Sequence, residues 1–148
     1  MKKIQTETVS VSAPARLHMG FMDMHGGLGR SFGSLGLCLE NIATLLSVSD
    51  AHRISAEGPS SERAKKMAEM LFATLGLDGG VHIDIQNTIT EHIGLGSGTQ
   101  LSLAVGTAIA RLKKLDIPVK YLARLLGRGD RSGIGIGSFL YGGFLVDG

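Results

Sequence analysis

Hydrophobic and polar residues alternate in several segments of the chain, and this period of two predicts β-strands. Residues 5–12 (QTETVSVS) alternate as a half-buried strand does, and residues 34–39 and 43–49 predict two further strands. Residues 52–57 (HRISAE) predict a short strand, and residues 81–87 (VHIDIQN) alternate strictly. A sheet is therefore expected from segments that lie mostly in the first part of the chain.

The clearest helix signal lies in residues 61–76, where apolar residues recur at helical spacing. The residues of this apolar stripe are Ala64, Met67, Ala68, Leu71, Phe72 and Leu75. Ser60 or Ser61 is available as the N-cap, and Gly76 is placed to end the helix. The charged run at 62–66 (ERAKK) is expected to form a solvated helix face.

Two further helices are expected in the second half of the chain. One extends from about Gly98 to Lys113, and the other begins at Pro118, a favoured first helical position, and ends at Gly127. Residues 138–148 (SFLYGGFLVDG) predict a strand or a hairpin. Because strands cluster early, the expected fold class is α+β, with helices that cover the sheet.

One domain is expected from 148 residues, of which 43% are hydrophobic and 19% charged. The net charge of +2 gives no basis for a nucleic-acid or membrane-surface partner. The longest apolar stretch, residues 101–112, contains Arg111 and is too short to span a bilayer. Cys38 is the single cysteine, and residues 1–15 lack the apolar core of a signal peptide, so we expect a cytoplasmic protein.

The chain ends at Gly148, directly after an apparent core strand. Because whole domains usually end in less buried segments, we expect residues 1–148 to be the first half of a longer protein. A surface left uncovered by a missing half would favour self-association into homo-oligomers.

Glycine accounts for 22 residues, and these gather at 26–36, 94–98 and 127–148. In the middle cluster, Gly94, Gly96 and Gly98 alternate with other residues directly before a predicted helix. Without Cβ atoms, successive main-chain N–H groups can face one concavity, and the helix N-terminus adds unpaired N–H groups and its positive dipole end.

This arrangement predicts an anion site for phosphate or pyrophosphate, to which Ser97 and Thr99 add hydroxyl groups. It is neither a Walker loop, which needs Lys and then Ser or Thr, nor a Rossmann fingerprint. The alternative is a tight turn whose glycines allow close helix–sheet packing.

Three stretches together resemble one branch of the GHMP kinase superfamily. GLGSGTQ (94–100) resembles the second signature loop of the superfamily, and APARLHMG (13–20) resembles its first motif. The full stretches at 15–40, 92–106 and 127–148 depart from the kinases and resemble the beta-ribofuranosylaminobenzene 5'-phosphate synthase family.

The resemblance implies an N-terminal α+β domain like the second domain of ribosomal protein S5, with a mixed or antiparallel sheet. It also implies a ferredoxin-like C-terminal half, which is absent from residues 1–148. The implied activity condenses phosphoribosyl pyrophosphate with 4-aminobenzoate or 4-hydroxybenzoate, with release of CO2 and pyrophosphate. Magnesium is required, and the step is an early one in methanopterin biosynthesis. Two alternatives remain: an ATP-dependent small-molecule kinase, and a non-catalytic truncated domain.

Arg16 and His18 lie two residues apart and are expected on one face of a strand. Arg16 is a candidate to bind a phosphate or the benzoate carboxylate. His18 is a candidate to donate to an anion or carry a proton, although a satisfied, partly buried histidine explains it equally well. Asp23 is a candidate for magnesium binding or acid–base work, with a turn aspartate as the alternative. Arg30 lies among glycines, where it can meet a carboxylate or phosphate.

The resemblance adds Arg131 and Ser132, because a similar loop lies beside the substrate in diphosphomevalonate decarboxylases. The predicted phosphate ligands are Gly94, Gly96, Ser97, Gly98 and Thr99. Ser97 is also the candidate metal ligand. The sequence leaves open whether this loop holds the pyrophosphate or the 5-phosphate of the donor.

Overall fold

The computed structural model describes residues 6–23, residue 27, residues 33–130 and residues 132–147, without the side chains of residues 22 and 23. These residues form, in chain order, β1 (Thr8–Asp23), β2 (Gly33–Ala51), β3 (Ser55–Glu57), α1 (Ser61–Leu75), β4 (Gly80–Asn87), α2 (Ser97–Leu112), α3 (Val119–Leu125), α4 (Ile134–Tyr141) and β5 (Phe144–Asp147). The predicted α+β class is confirmed. No helix in these described stretches has both the length and the apolar character that crossing a membrane requires.

The strands form one mixed sheet in the order β1-β2-β4-β3, and β5 pairs with the other end of β2. All pairs are antiparallel except β3 with β4. The long β2 strand organises the sheet, because residues 45–51 pair with β4 whereas residues 34–37 pair with β5. Its two ends therefore lie under different helices.

The main core lies between the β4 end of this sheet and helices α1 and α2. Val81, Ile83 and Ile85 alternate on β4 and are almost completely buried, as their pattern predicts. α1 contributes Ala64, Ala68, Leu71 and Phe72 to the same core. Removing such apolar area from water is the main force that holds helices on a sheet. α1 ends at Gly76, as predicted, in the left-handed conformation.

A register shift in β1 changes which of its residues face the helices. Between Pro14 and Ala15, the β2 partner changes from Ala43 to Leu39, so residues 40–42 of β2 have no partner on β1. Such a bulge reverses the alternation of side chains along a strand. The predicted strand position of Arg16 and His18 is confirmed, and both are half-buried while the residues between and after them are exposed.

Two parts of the predicted element pattern are corrected by the structure, although the strand expected within 138–148 is present as β5. Residues 34–39 and 43–49 form one strand, because β2 continues through the unpaired bulge. The segment predicted as a strand or hairpin at 138–148 contains the end of α4, followed by β5. α4 has the sequence IGIGSFLY, whose two glycines disfavour helix formation locally. Tertiary packing forms this helix, as the close contact of Gly36 with Ile134 indicates.

Candidate anion-binding site

The loop between β4 and α2 is bent by three residues with left-handed backbone angles. The φ angles are 61° at His92, 78° at Gly94 and 76° at Gly96. The first part of the loop is anchored by Ile89, which is buried and donates its N–H to Thr44 Oγ1 at 3.4 Å. Gly94 and Gly96 supply the angles that other residues adopt only at a cost.

The first turn of α2 presents its N–H groups without a side-chain cap from any residue the structure describes. Gly96 is the N-cap, and the bond from Gln100 N to Gly96 O, at 3.0 Å, is the first of the helix. The N–H groups of Ser97, Gly98 and Thr99 therefore precede the helical ladder. They coincide with the positive end of the helix dipole, which favours an anion at this point.

Arg16 places the first guanidinium beside this helix end. The main-chain N–H of Arg16 donates to Leu95 O at 3.0 Å, and this bond ties the loop to β1. A Cβ on Gly96 would lie 3.0 Å from Arg16 Cγ and 3.1 Å from its Nε, so the absent side chain makes room for the arginine. Arg16 Nε is buried without a partner among the described residues, and burial lowers the pKa of Arg16. A buried donor of this kind favours an incoming acceptor.

Arg63 and Arg128 place two further guanidinium groups at Gly98. A Cβ built on Gly98 would lie 3.1 Å from Arg63 Nη2 and 3.4 Å from both terminal nitrogens of Arg128. Arg128 Nε donates to Ser102 Oγ at 3.2 Å, and Ser102 Oγ donates to Gly98 O at 2.9 Å. Burial, and secondarily the charge of Arg63, lower the pKa of Arg128. Cationic groups from three separate elements thus converge on the N-terminus of α2.

Glu91 is the carboxylate that the structure places in this cluster. It forms an ion pair with Arg63 and accepts a hydrogen bond from Ser60 Oγ at 3.2 Å. The hydrogen bond from Arg63, followed by the charge of Arg63, lowers the pKa of Glu91. Neither Arg16 nor Arg128 has a carboxylate partner within the described residues. The cluster therefore keeps an excess of positive charge.

His18 lies next to Arg16 on the same face of β1. Its Nδ1 accepts the Gly20 N–H at 3.2 Å, and its Nε2 is buried without a partner among the described residues. Burial, and secondarily the charge of Arg16, lower the pKa of His18. The neutral ring is therefore favoured, and because Nδ1 accepts, Nε2 carries the hydrogen. His18 is thereby suited to donate a hydrogen bond.

The remaining predicted site residues are placed less directly. The methyl carbon of Thr99 lies 2.8 Å from the position of a Cβ on Gly135, so this side chain packs against α4 while its N–H stays in the first turn of α2. Ser132 Oγ lies 2.7 Å from Ser34 Oγ and accepts the Ile134 N–H at 3.2 Å. Arg30, Arg131 and the side chain of Asp23 lie outside the described residues.

Arg63 was not predicted as a site residue, because ERAKK was expected to be a solvated helix face. Arg63 does keep 40% of its side chain exposed, but it also pairs with Glu91 and lies against Gly98, which that expectation did not include. One sequence signal pointed to it: a cation in the first turn of α1 opposes the helix dipole. Arg128 lies in the stretch 127–148 that carries the family resemblance, whereas Glu91 had no comparable signal, since its position depends on how distant segments meet.

Magnesium is implied by the family resemblance, and the described side chains do not fit a protein-held magnesium site. No group of three or more His, Cys, Asp or Glu residues within the described ranges is placed to hold a metal ion. At the α2 N-terminus, Ser97 contributes a hydroxyl and Glu91 is paired with Arg63. Magnesium is usually held by one or two carboxylates together with substrate phosphates, so a bound phosphate would have to supply most ligands here.

A cleft of about 680 Å³ lies between α3, α4 and β5. Arg128 lines this cleft and also reaches the α2 N-terminus, so the two features adjoin. The cleft is lined by charged residues of both signs and by apolar residues: Lys120, Arg124, Arg128, Asp130, Asp147, Ile136, Leu140 and Leu145. The glycine loop itself opens to the surface, as the exposure of Ile93 and Gly94 indicates.

Residues 62–143 match the family model described as the GHMP kinases N terminal domain. Two curated relatives are each named Beta-ribofuranosylphenol 5'-phosphate synthase. The one from Methanocaldococcus jannaschii is 37% identical over 151 residues, covering 93% of this chain and 46% of the relative. The one from Archaeoglobus fulgidus is 38% identical over 137 residues, covering 91% and 43%. The chain spans about half the length of the curated relatives it matches.

Solved structures share the fold at low sequence identity. 4-(Cytidine 5'-diphospho)-2C-methyl-D-erythritol kinase has a TM-score of 0.69 and 23% identity over 93% of this chain and 52% of that protein. The mevalonate kinase of Methanococcus jannaschii has a TM-score of 0.65 and 13% identity over 95% and 53%. The predicted superfamily resemblance is confirmed, and the synthase relatives carry the phenol name where the sequence resemblance suggested the aminobenzene one.

Proposed function

We propose, from the premise that this chain belongs to the GHMP kinase N-terminal domain family, that it binds the phosphoribosyl donor in a beta-ribofuranosylphenol 5'-phosphate synthase. The proposal rests on the relatives that carry this name and on the cationic cluster at the N-terminus of α2. The reaction would condense phosphoribosyl pyrophosphate with 4-hydroxybenzoate, in methanopterin biosynthesis. 4-Aminobenzoate, the other benzoate that the sequence left open, is the comparison substrate.

The proposed reaction replaces a carboxylate by a ribose carbon. The bond between ribose C1 and the pyrophosphate oxygen breaks, and its electron pair leaves with pyrophosphate. The ring carbon that carries the carboxylate forms the new carbon–carbon bond to C1. The ring–carboxylate bond then breaks, its electron pair returns to the ring, and CO2 leaves. Atoms and charge balance without net loss of a proton from the acceptor.

The observation that carries this proposal is the convergence of Arg16, Arg63 and Arg128 on an uncapped helix end. Negative charge develops on the departing pyrophosphate, and preorganised donors stabilise such charge most effectively where water is excluded. In this proposal, the main-chain N–H groups of Ser97, Gly98 and Thr99 and the three guanidiniums bind phosphoryl oxygens.

The same observation favours the synthase over a kinase. A kinase has to remove a proton from the hydroxyl group that accepts the phosphoryl group, and this work usually needs a free base. The carboxylate that the described residues provide at the cluster, Glu91, is engaged by Arg63. Decarboxylative substitution needs no net proton removal, so an arginine-rich site suits it better.

His18 has a role that fits this chemistry. Its neutral ring presents Nε2–H from the strand that also carries Arg16. We propose that it donates a hydrogen bond to the donor or to the benzoate carboxylate, rather than acting as a base. Arg30, Arg131 and Ser132 stay predicted substrate-binding residues, and Asp23 stays a candidate for magnesium binding or acid–base work.

The proposal is tested by incubating the chain with phosphoribosyl pyrophosphate, magnesium and either 4-hydroxybenzoate or 4-aminobenzoate. Mass spectrometry of the ribosylated phenol or aniline, together with 13CO2 release from carboxyl-labelled substrate, identifies the reaction. A parallel calorimetric titration compares phosphoribosyl pyrophosphate with ATP. The proposal predicts tighter binding of the phosphoribosyl donor. Preferential ATP binding, with transfer of its γ-phosphate to a small molecule, would establish the kinase alternative instead.

A further inference from the structure

We infer that Arg63 and Arg128 form a two-guanidinium clamp for the pyrophosphate group of the donor, and that Glu91 occupies the Arg63 side of this clamp when no anion is bound. This inference rests on the proposed function, which it deepens by assigning one part of the donor to named side chains.

The two arginines of the clamp approach the helix end at Gly98. Arg63 Nη2 and both terminal nitrogens of Arg128 lie within 3.4 Å of the position that a Cβ on Gly98 would occupy. The backbone at Gly98 is helical and needs no glycine for its angles. The missing side chain therefore serves the approach of the two guanidiniums to the helix end.

Electrostatics make this arrangement costly unless an anion is present. Two like charges lie together at the positive end of a helix dipole, and the charge of Arg63 contributes to the lowered pKa of Arg128. Glu91 compensates one of the two charges. The terminal nitrogens of Arg128 have no acceptor among the described residues, since its Nε alone is bonded, to Ser102. A polyanion would satisfy both arginines together.

The number of donors favours pyrophosphate over a single phosphate. Each guanidinium can present two parallel N–H groups to an anion, and the α2 end adds the N–H groups of Ser97, Gly98 and Thr99. A phosphate monoester has three non-bridging oxygens, whereas the pyrophosphate group of the donor has five. The two arginines also reach the site from different elements, Arg63 from α1 and Arg128 from the segment after α3. A ligand with two phosphoryl groups suits such a divided site.

Hydrogen bonds hold each arginine in place. Ser102 links Arg128 Nε to Gly98 O, which leaves the terminal nitrogens of Arg128 directed past Gly98. Glu91, itself bonded to Ser60, holds Arg63 at the same point. When pyrophosphate binds, the ion pair between Glu91 and Arg63 has to break at least in part. Glu91 is thus a competitor of the ligand, and its removal should strengthen binding.

The test measures the affinity of the chain for inorganic pyrophosphate by isothermal titration calorimetry at constant ionic strength, with inorganic phosphate as the comparator. Arg63→Gln and Arg128→Gln are each expected to weaken pyrophosphate binding at least tenfold and to reduce its preference over phosphate. Arg53→Gln is the matched control, because Arg53 is exposed in the turn between β2 and β3 and should leave the affinity unchanged. Circular dichroism verifies that each variant is folded.

Glu91→Gln separates a clamp from a merely structural arginine pair. The variant retains a hydrogen-bonding side chain of the same size and removes the competing charge, so pyrophosphate should bind about three- to tenfold more tightly. Weaker binding by Glu91→Gln, or affinities within twofold of wild type for both arginine variants, would overturn the inference.

The failure of the clamp and the failure of the proposed function are distinguishable. If Arg63→Gln and Arg128→Gln bind pyrophosphate as wild type does and still form product, the clamp is refuted and the proposed function stands. Arginine-dependent pyrophosphate binding without any ribosylated product would support the clamp and count against the synthase assignment.

Discussion

Two glycine-rich regions meet beside β1, and their glycines serve different purposes. In the loop before α2, the space beside Gly96 and Gly98 is taken by the guanidiniums of arginines, and Gly94 faces open space. Around α4, the neighbours are side chains of the packed interior: a Cβ on Gly36 would lie 2.2 Å from Ile134 Cγ2, and one on Gly135 would lie 2.8 Å from Thr99 Cγ2. Glycine count alone does not distinguish these environments.

The difference shows that glycines in this chain serve two structural needs. Close packing describes the glycines around α4, and anion binding by the loop before α2 stays a prediction. Around α4, a helix with poor intrinsic propensity approaches the sheet closely enough to bury Ile134 and Ser138. In the loop before α2, the glycines provide positive φ angles and room for cations. The N–H groups of the first turn of α2 are left without a side-chain cap from the described residues.

The largest effect is expected where packing is tightest. Gly36→Ala should lower the free energy of unfolding by about 2–3 kcal/mol, because the new methyl group overlaps Ile134 and the packed interior cannot expand freely. Urea unfolding followed by circular dichroism measures the loss. Adding Ile134→Ala should make the combined cost smaller than the sum of the single costs, since the space is then available. A loss below about 0.5 kcal/mol for Gly36→Ala would show that α4 does not pack as described.

Local signals predicted α1, β4, α2 and α3, because caps and periodicity lie within each segment. Gly76 ends α1 as expected, whereas Pro118 is the extended N-cap of α3, which begins one residue later at Val119 and ends at Leu125, before the predicted Gly127. The register shift at Pro14 and the helix at 134–141 were not predictable in this way. Both depend on partners far along the chain, and α4 overrides the preference of its own residues.

For the candidate site, the sequence pointed to the glycine loop, to Arg16 and to the stretch that contains Arg128, but not to Arg63 or Glu91. The glycines and the helix start are local, and the structure has them where they were expected. Arg63 and Arg128 become neighbours only because α1 and the segment after α3 both reach the start of α2. Charge clusters of this kind arise from topology, so a single sequence carries little trace of them.

Gly96→Ala and Gly94→Ala form a matched pair that sharpens the comparison within the loop. The φ angle is 76° at Gly96 and 78° at Gly94. Because an L-residue is disfavoured at such angles, each substitution should lower the free energy of unfolding by about 1–2 kcal/mol. Their surroundings differ, because a methyl group at Gly96 meets Arg16 whereas one at Gly94 meets open space. Gly96→Ala should therefore weaken pyrophosphate binding about tenfold, or by about 1.4 kcal/mol. Gly94→Ala should leave the affinity within twofold, as calorimetry can establish. Equal losses in both variants would mean that backbone angle alone matters.

The smallest effect is expected for His18, which lies between the two regions. It pairs with Gly36 across the strands and neighbours Arg16. Burial and the Arg16 charge lower the pKa of His18 in the folded chain, so the unfolded chain binds a proton more readily below the ordinary histidine pKa of about 6.5. His18 therefore lowers the free energy of unfolding as the pH falls from about 6.5 towards its lowered pKa, and it has no such effect above about pH 6.5. His18→Asn should thus make unfolding less sensitive to acid between pH 7.5 and 5.5 than in wild type, as urea midpoints at both values measure. His52→Asn is the control, because His52 is exposed. If the pH dependence of stability were the same in His18→Asn and wild type, folding would not lower the pKa of His18. Bound pyrophosphate should reduce the wild-type slope, because an anion beside Arg16 offsets the charge that disfavours the protonated ring.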